Sequence, residues 1–146
     1  MVSQGWIEWA VKGSFRRYVE ALPDGAVEAA DGASLDAETF RWPATIEQGG
    51  EQSRASGWGV VTLTGHSGLL TVALASPTVV VRGGKGALSI DYPWASASEE
   101  PSTVIADLVA TAEHGVFAVS LTEDGAELFN TYAAGAEMAP LVLRTS

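Results

Sequence analysis

Short alternating runs punctuated by glycine dominate the middle of this chain. Gly57–Gly65, Leu69–Ala75, Thr78–Arg82 and Lys85–Tyr92 are separated by His66-Ser67-Gly68, Ser76-Pro77 and Gly83-Gly84. In the first run Trp58, Val60, Thr62 and Thr64 alternate with Val61 and Leu63. That is the two-residue period of a strand with one buried face. Gly83-Gly84-Lys85-Gly86 has the residue types of a phosphate-binding loop but not its spacing. It lies between strands and reads as a hairpin. Ala26–Ala30 and Ala33–Phe40 flank Asp31-Gly32, and read as a hairpin through a type I′-compatible turn. Gly49–Ser53 and Ser96–Ser102 read as polar loops, and Thr103–Ala110, Val116–Leu121 and Met138–Thr145 as further strands. Strands at this spacing predict a β-rich α+β fold, an antiparallel β-sandwich or curved sheet. The length of 146 residues predicts one domain, residues 1–146.

A helix is expected near each end. Ile7, Ala10, Val11, Ser14, Phe15, Tyr18, Val19 and Leu22 recur at helical spacing, and Pro23-Asp24-Gly25 stops the pattern. Gly13 inside it costs about 1 kcal/mol relative to alanine, a cost accepted where something packs closely on the backbone. Thr122 followed by Glu123 and Asp124 is an N-cap with acids in the first turn, and predicts a helix to about Tyr132 with Gly135 just beyond.

Composition narrows the function classes. Eight Lys and Arg against 18 Asp and Glu give a net charge of −10. Nucleic acid and anionic membrane surfaces are therefore improbable partners, because both need a cationic face. No apolar run approaches the ~20 residues of a membrane-spanning helix, so no membrane insertion is expected. Cysteine is absent, which excludes disulfides, thiolate metal sites and a cysteine nucleophile. The first residues show no basic segment followed by an apolar one. The expectation is a cytoplasmic protein if Met1 is the native start, or a secreted or cell-surface one after removal of a leader.

The reactive side chains are few. Two histidines, His66 and His114, are too sparse for a zinc site of three or four ligands. His114, in Glu113-His114-Gly115, reads as an exposed turn residue without a role. Ser14 and Tyr18 stack at i and i+4 on the inward stripe of the first helix, beside Phe15 and Val11. On pattern alone Tyr18 reads first as a core tyrosine whose hydroxyl meets a carbonyl, and His66 as a structural turn residue. Arg16 and Arg17 fall off that stripe and are expected to face solvent.

Three ordered segments, Trp9 to Tyr18, Gly65 to Leu70 with Ser76-Pro77, and Leu121 to Phe129 with Tyr132 to Gly135 and Pro140, together resemble the HtaA family of haem-binding domains. Trp9-Ala10-Val11-Lys12-Gly13-Ser14-Phe15-Arg16-Arg17-Tyr18 resembles the family's opening W-G-V-K-x-S-F-R-x-Y. Gly65-His66-Ser67-Gly68-Leu69-Leu70, with Ser76-Pro77 a strand later, resembles its G-H-x-G-x-L … N/D-P stretch. Leu121 to Phe129, then Tyr132-Ala133-Ala134-Gly135 and Pro140, resembles its closing L-T-x-x-G-x-x-x-F … Y-x-x-G … P. Here Phe129-Asn130-Thr131-Tyr132 is one residue shorter than the family's segment, with Thr131 at the place of a stacking aromatic.

The resemblance implies a β-rich fold with flanking helices and one bound ferric haem b. It implies Tyr18 as the axial iron ligand and metal-binding residue, His66 as its hydrogen-bond partner and Ser14 as a propionate contact. Phe129 and Tyr132 are the implied porphyrin contacts, and Phe15 is expected among the cofactor-binding residues. It further implies haem uptake, transfer or buffering, with other haem-transfer proteins as partners. A pocket open at one edge is compatible with sharing across a homodimer. Two rival readings stand beside the carrier: an enzyme on the same scaffold using Tyr18 and His66 as an acid–base pair, and an interaction domain that has lost its ligand.

Overall fold

The computed structural model describes residues 1–91 and 102–146. In chain order the elements are β1 (Val2–Trp9), α1 (Gly13–Ala21), β2 (Ala26–Ala30), β3 (Ser34–Leu35), β4 (Phe40–Gly49), β5 (Gln52–Gly57), β6 (Val60–Gly65), β7 (Leu70–Arg82), β8 (Lys85–Asp91), β9 (Ser102–Ala110), β10 (Val116–Leu121), α2 (Glu123–Phe129) and β11 (Glu137–Thr145). Every pairing is antiparallel. The order β7-β5-β4-β1-β11-β10-β9-β8 closes on itself through a β7–β8 pairing, while β6 and β2 extend from β7 and β3 from β4. The β-rich class with a helix near each end is as expected, but the sheet is a closed barrel and not a sandwich. Alternating runs are common to both architectures, so the period alone does not separate them.

Closure depends on β7. It is one strand across Ser76-Pro77, where Ser76 adopts φ +47 and the register with β8 shifts. Leu70–Ala75 pairs with β6, whereas Thr78–Arg82 pairs with β5 on one side and β8 on the other. Inward residues fill the barrel, led by Trp9, Trp42, Phe40 and Ile7. The buried indoles keep their hydrogen bonds: Trp9 Nε1–H donates to Ala139 O at 2.8 Å and Trp42 Nε1–H to Leu74 O at 3.2 Å. Burying a polar group is tolerable only with such a partner.

Several expectations need correction. Residues Ile7 to Lys12 are not helical. Ile7 and Trp9 point inward from β1, which is clamped between β4 and β11. Val11 then adopts φ +63, a left-handed conformation rare for a β-branched residue, and the helix starts only at Gly13. The Asp31-Gly32 turn has both φ values positive, 58° and 107°, as expected. The runs beside it pair elsewhere, β2 with β6 and β3 with β4. The loop read over Gly49–Ser53 shrinks to a turn at Gly50-Glu51, and α2 ends at Phe129, where Asn130 turns left-handed at φ +55. The Gly83-Gly84 hairpin is present, with φ of 59° and 79° joining β7 to β8. Tyr92 and all but the last residue of the Ser96–Ser102 loop lie outside the described residues; Ser102 opens β9. Among the described residues no helix is long and apolar enough to cross a membrane.

Candidate functional site

Helix α1 presents two faces. Phe15 and Val19 are buried against the barrel. Ser14 and Tyr18 lie one turn apart on an outer flank, and Tyr18 remains 50% exposed. An exposed phenol on an amphipathic helix is not a core tyrosine, so that alternative falls away. Arg16 departs from expectation. It is buried, with its guanidinium 4.8 Å from the Phe40 ring centre and its Nε 3.6 Å from Glu20. The short helix packs on the barrel at an angle that puts position 16 under it. Arg17 is exposed, as expected.

His66 reaches Tyr18 from the turn between β6 and β7. His66 and Ser67 adopt φ values of 50° and 56°, followed by Gly68 at 88°. Each left-handed non-glycine residue costs roughly 1–2 kcal/mol. Asp24, in the turn after α1, offsets that cost. Its Oδ1 accepts the His66 N–H at 3.1 Å and its Oδ2 the Ser67 N–H at 2.5 Å. The Ser67 N–H foremost, with that of His66, holds the Asp24 carboxyl below its usual range. Gly65 lets the turn sit against α1, since a Cβ there would lie 2.5 Å from Leu22 Cδ1. The outcome is a Tyr18 Oη to His66 Nε2 distance of 2.5 Å, with the rings tilted by 49°. With a neutral phenol, the Tyr18 O–H donates to Nε2.

Beside this pair lies a cleft of about 370 Å³. Phe15, Tyr18, His66, Leu69, Leu70, Phe129, Asn130 and Thr131 line it. Phe129 reaches it from the end of α2, which starts on Thr122, whose Oγ1 accepts the Gly125 N–H at 3.1 Å. Phe15 meets Phe129 edge-on, with ring centres 5.3 Å apart, and the two form an apolar floor. Leu69 projects at the rim and is 92% exposed. The cleft is therefore greasy at its base, open at one edge, and carries one phenol–imidazole pair. Such a pair can share or pass a proton, or offer an oxygen donor to a metal whose remaining ligands come from elsewhere.

The sequence matches the Htaa family over residues 4–144. The chain belongs to that family. No curated protein matches it. Among solved structures, the C-terminal domain of HtaA from Corynebacterium glutamicum superposes with a TM-score of 0.81 at 22% identity, covering 99% of this chain and 96% of that one. The N-terminal domain of the same protein gives 0.80 at 20% identity, with 99% and 98% covered. The heme binding protein HtaB from Corynebacterium glutamicum gives 0.73 at 21% identity, with 99% and 93% covered. At these identities the likeness establishes a shared fold.

In this Htaa chain Phe15, Tyr18, His66 and Phe129 converge on the cleft, although the barrel separates them widely in sequence. Ser14 and Tyr132 do not line it. Ser14 is exposed beside Tyr18, and Tyr132 packs on Phe15 at 6.1 Å and on Phe129 at 6.4 Å, beneath the Lys12 ammonium. His114 is exposed, as expected, near the opposite mouth of the barrel, where it borders a second cavity of about 320 Å³. Sequence reasoning passed over Asp24, reading it only as part of a helix stop. Its signal was slight: an acid just past a helix C-terminus, where the dipole disfavours negative charge.

Proposed function

We propose that the protein binds ferric haem in the Tyr18–His66 cleft and carries, buffers or relays it. The observation that carries this reading is the exposed Tyr18 phenol, 2.5 Å from an imidazole at the mouth of an apolar cleft, in a chain of the Htaa family. The name of the structural neighbour HtaB, a heme binding protein, supports the same ligand. The residues present fit it. Tyr18 offers a hard anionic oxygen of the kind that serves as an axial ligand in tyrosine-ligated haem proteins. Phe15, Leu70 and Phe129 offer an apolar floor, and the open edge leaves room for charged propionates in water.

Each residue has a task in this reading. Tyr18 would hold the iron through its phenolate oxygen, its phenolic proton passing to His66 Nε2, the acceptor beside it. His66, holding that proton on Nε2, would donate a hydrogen bond to the same oxygen, fixing its orientation and moderating its charge. Ser14, exposed one turn before Tyr18, is placed to offer a hydroxyl to a propionate without adding charge. Phe129 and Phe15 exclude water beneath the ring, and Tyr132 supports them from behind. A phenolate would hold Fe(III) more tightly than Fe(II), which suits a carrier of the oxidised form. The exposed Leu69 rim suits handover to another haem-transfer protein. Residues 1–146 act as one such domain.

Hemin titration tests the proposal. The protein is expected to give a high-spin ferric-tyrosinate absorption spectrum with a charge-transfer band. Tyr18→Phe abolishes that band, and His66→Ala weakens hemin binding by about 10–100-fold, the usual effect of removing an outer-shell partner. Hemin uptake unchanged in Tyr18→Phe rejects the ligand assignment. Peroxide turnover by the loaded protein favours the enzyme reading.

A further inference from the structure

We propose that Asp24 is a positioning residue that acts through His66 by holding the backbone of the His66-Ser67 turn left-handed. The inference rests on the haem-binding reading for its functional consequence. Its structural basis is independent of any ligand.

Three observations converge on Asp24. Both of its carboxylate oxygens are used, one on each of two successive N–H groups, His66 at 3.1 Å and Ser67 at 2.5 Å. Those two residues are the ones with positive φ and a side chain in this turn. A backbone curled in this way turns successive N–H groups toward one anion, so the carboxylate favours the conformation it binds. Asp24 also follows the C-terminus of α1 by three residues, the end of a helix where a negative charge is unfavourable. Its gain there comes from the turn it holds.

The consequence is steric and directional. Tyr18 is fixed by α1, whereas His66 sits on an exposed turn flanked by two glycines, Gly65 and Gly68. Without the clamp the turn gains extended or right-handed alternatives, which side-chain-bearing residues prefer. Each alternative rotates the imidazole away from the Tyr18 oxygen. Asp24 touches neither the phenol nor the cleft, so its effect has to pass through His66. It therefore links the end of α1, which carries the phenol, to the turn that carries the imidazole.

Asp24→Asn is the test, because it keeps the shape and removes one acceptor and the charge. Three measurements are made on the full chain: hydrogen exchange of the Ser67 amide without hemin, hemin release to excess apomyoglobin, and the absorption spectrum with hemin. The variant is expected to lose Ser67 amide protection and to release hemin about tenfold faster, the lower end for an outer-shell partner. Its charge-transfer band shifts toward that of His66→Ala. In the His66→Ala background the same substitution is expected to add nothing to the release rate, because the effect runs through the imidazole. Unchanged exchange and release in Asp24→Asn overturn the proposal, as do effects that simply add to those of His66→Ala. A parent protein that takes up no hemin rejects the haem reading instead, and the exchange measurement then judges the clamp alone. A Tyr18→Phe control folded like the parent, with Ser67 protection intact, separates loss of the ligand from loss of the turn.

Discussion

A guanidinium and a phenol on the same short helix show how little the residue type alone decides. Tyr18 is half exposed and Arg16 is buried, the reverse of their usual preferences. Tyr18 is exposed because it lies on the flank of α1 away from Phe15 and Val19, where its hydroxyl meets His66. Arg16 spreads over Phe40, and its Nε and Nη1 have no hydrogen-bond partner among the described residues. An unpaired buried donor costs free energy that an apolar side chain of similar length does not. Arg16→Met is therefore expected to be at least as stable as the parent, by up to about 1 kcal/mol, in a urea-denaturation midpoint. A clear loss of stability would show instead that the contact with Phe40 and Glu20 outweighs the unpaired donors. Neither the burial of Arg16 nor the clamp by Asp24 was legible in the sequence, since both depend on where α1 lands on the barrel. Tyr18, His66, Phe15 and Phe129 were legible as a set only through the spacing of three motifs.

At the scale of elements, glycines set the contacts that bring the site together. In α2, a Cβ at Gly125 would lie 1.9 Å from the Ile105 carbonyl oxygen of β9. The helix docks that closely because position 125 has no side chain, and docking places Phe129 at the cleft. Gly125→Ala is expected to cost about 1–3 kcal/mol through overpacking and to loosen hemin binding, as read by thermal unfolding and titration. The β6–β7 turn carries a pH dependence of its own. The Ser67 and His66 amides lower the Asp24 pKa from its ordinary 3.8. A carboxyl with a folded pKa below its unfolded one stabilises the fold above that range and loses the effect as pH falls through the folded value. The clamp is thus expected to be complete at neutral pH and to weaken only in acid below about 4. An NMR titration of the Ser67 amide shift checks this, and a midpoint near neutrality would contradict it. Strand boundaries such as Val116–Leu121 were readable because alternation and turn residues agree there. The start of α1 was not, because Ile7 stands at helical spacing from Ala10 and Val11 although it belongs to β1, and the left-handed Val11 leaves no mark in composition.

The whole molecule is a barrel whose first and last strands pair with each other, Gly5 with Thr145 through Trp9 with Leu141. That pairing brings the opening and closing segments of the chain to one place, so that α1 and Phe129 meet at the cleft. Closure itself hinges on the long-range β7–β8 and β1–β11 ladders, and partner choice between distant strands leaves no local signal. The barrel also has a second opening, near His114, on the side away from α1. The central claim is that iron is held at the first opening by Tyr18. A crystal structure of the hemin-loaded protein tests it most directly. The account predicts iron bonded to Tyr18 Oη, with His66 Nε2 at hydrogen-bond distance from that oxygen. Iron bonded to any other residue, His114 included, with Tyr18 still paired only to His66, would contradict it.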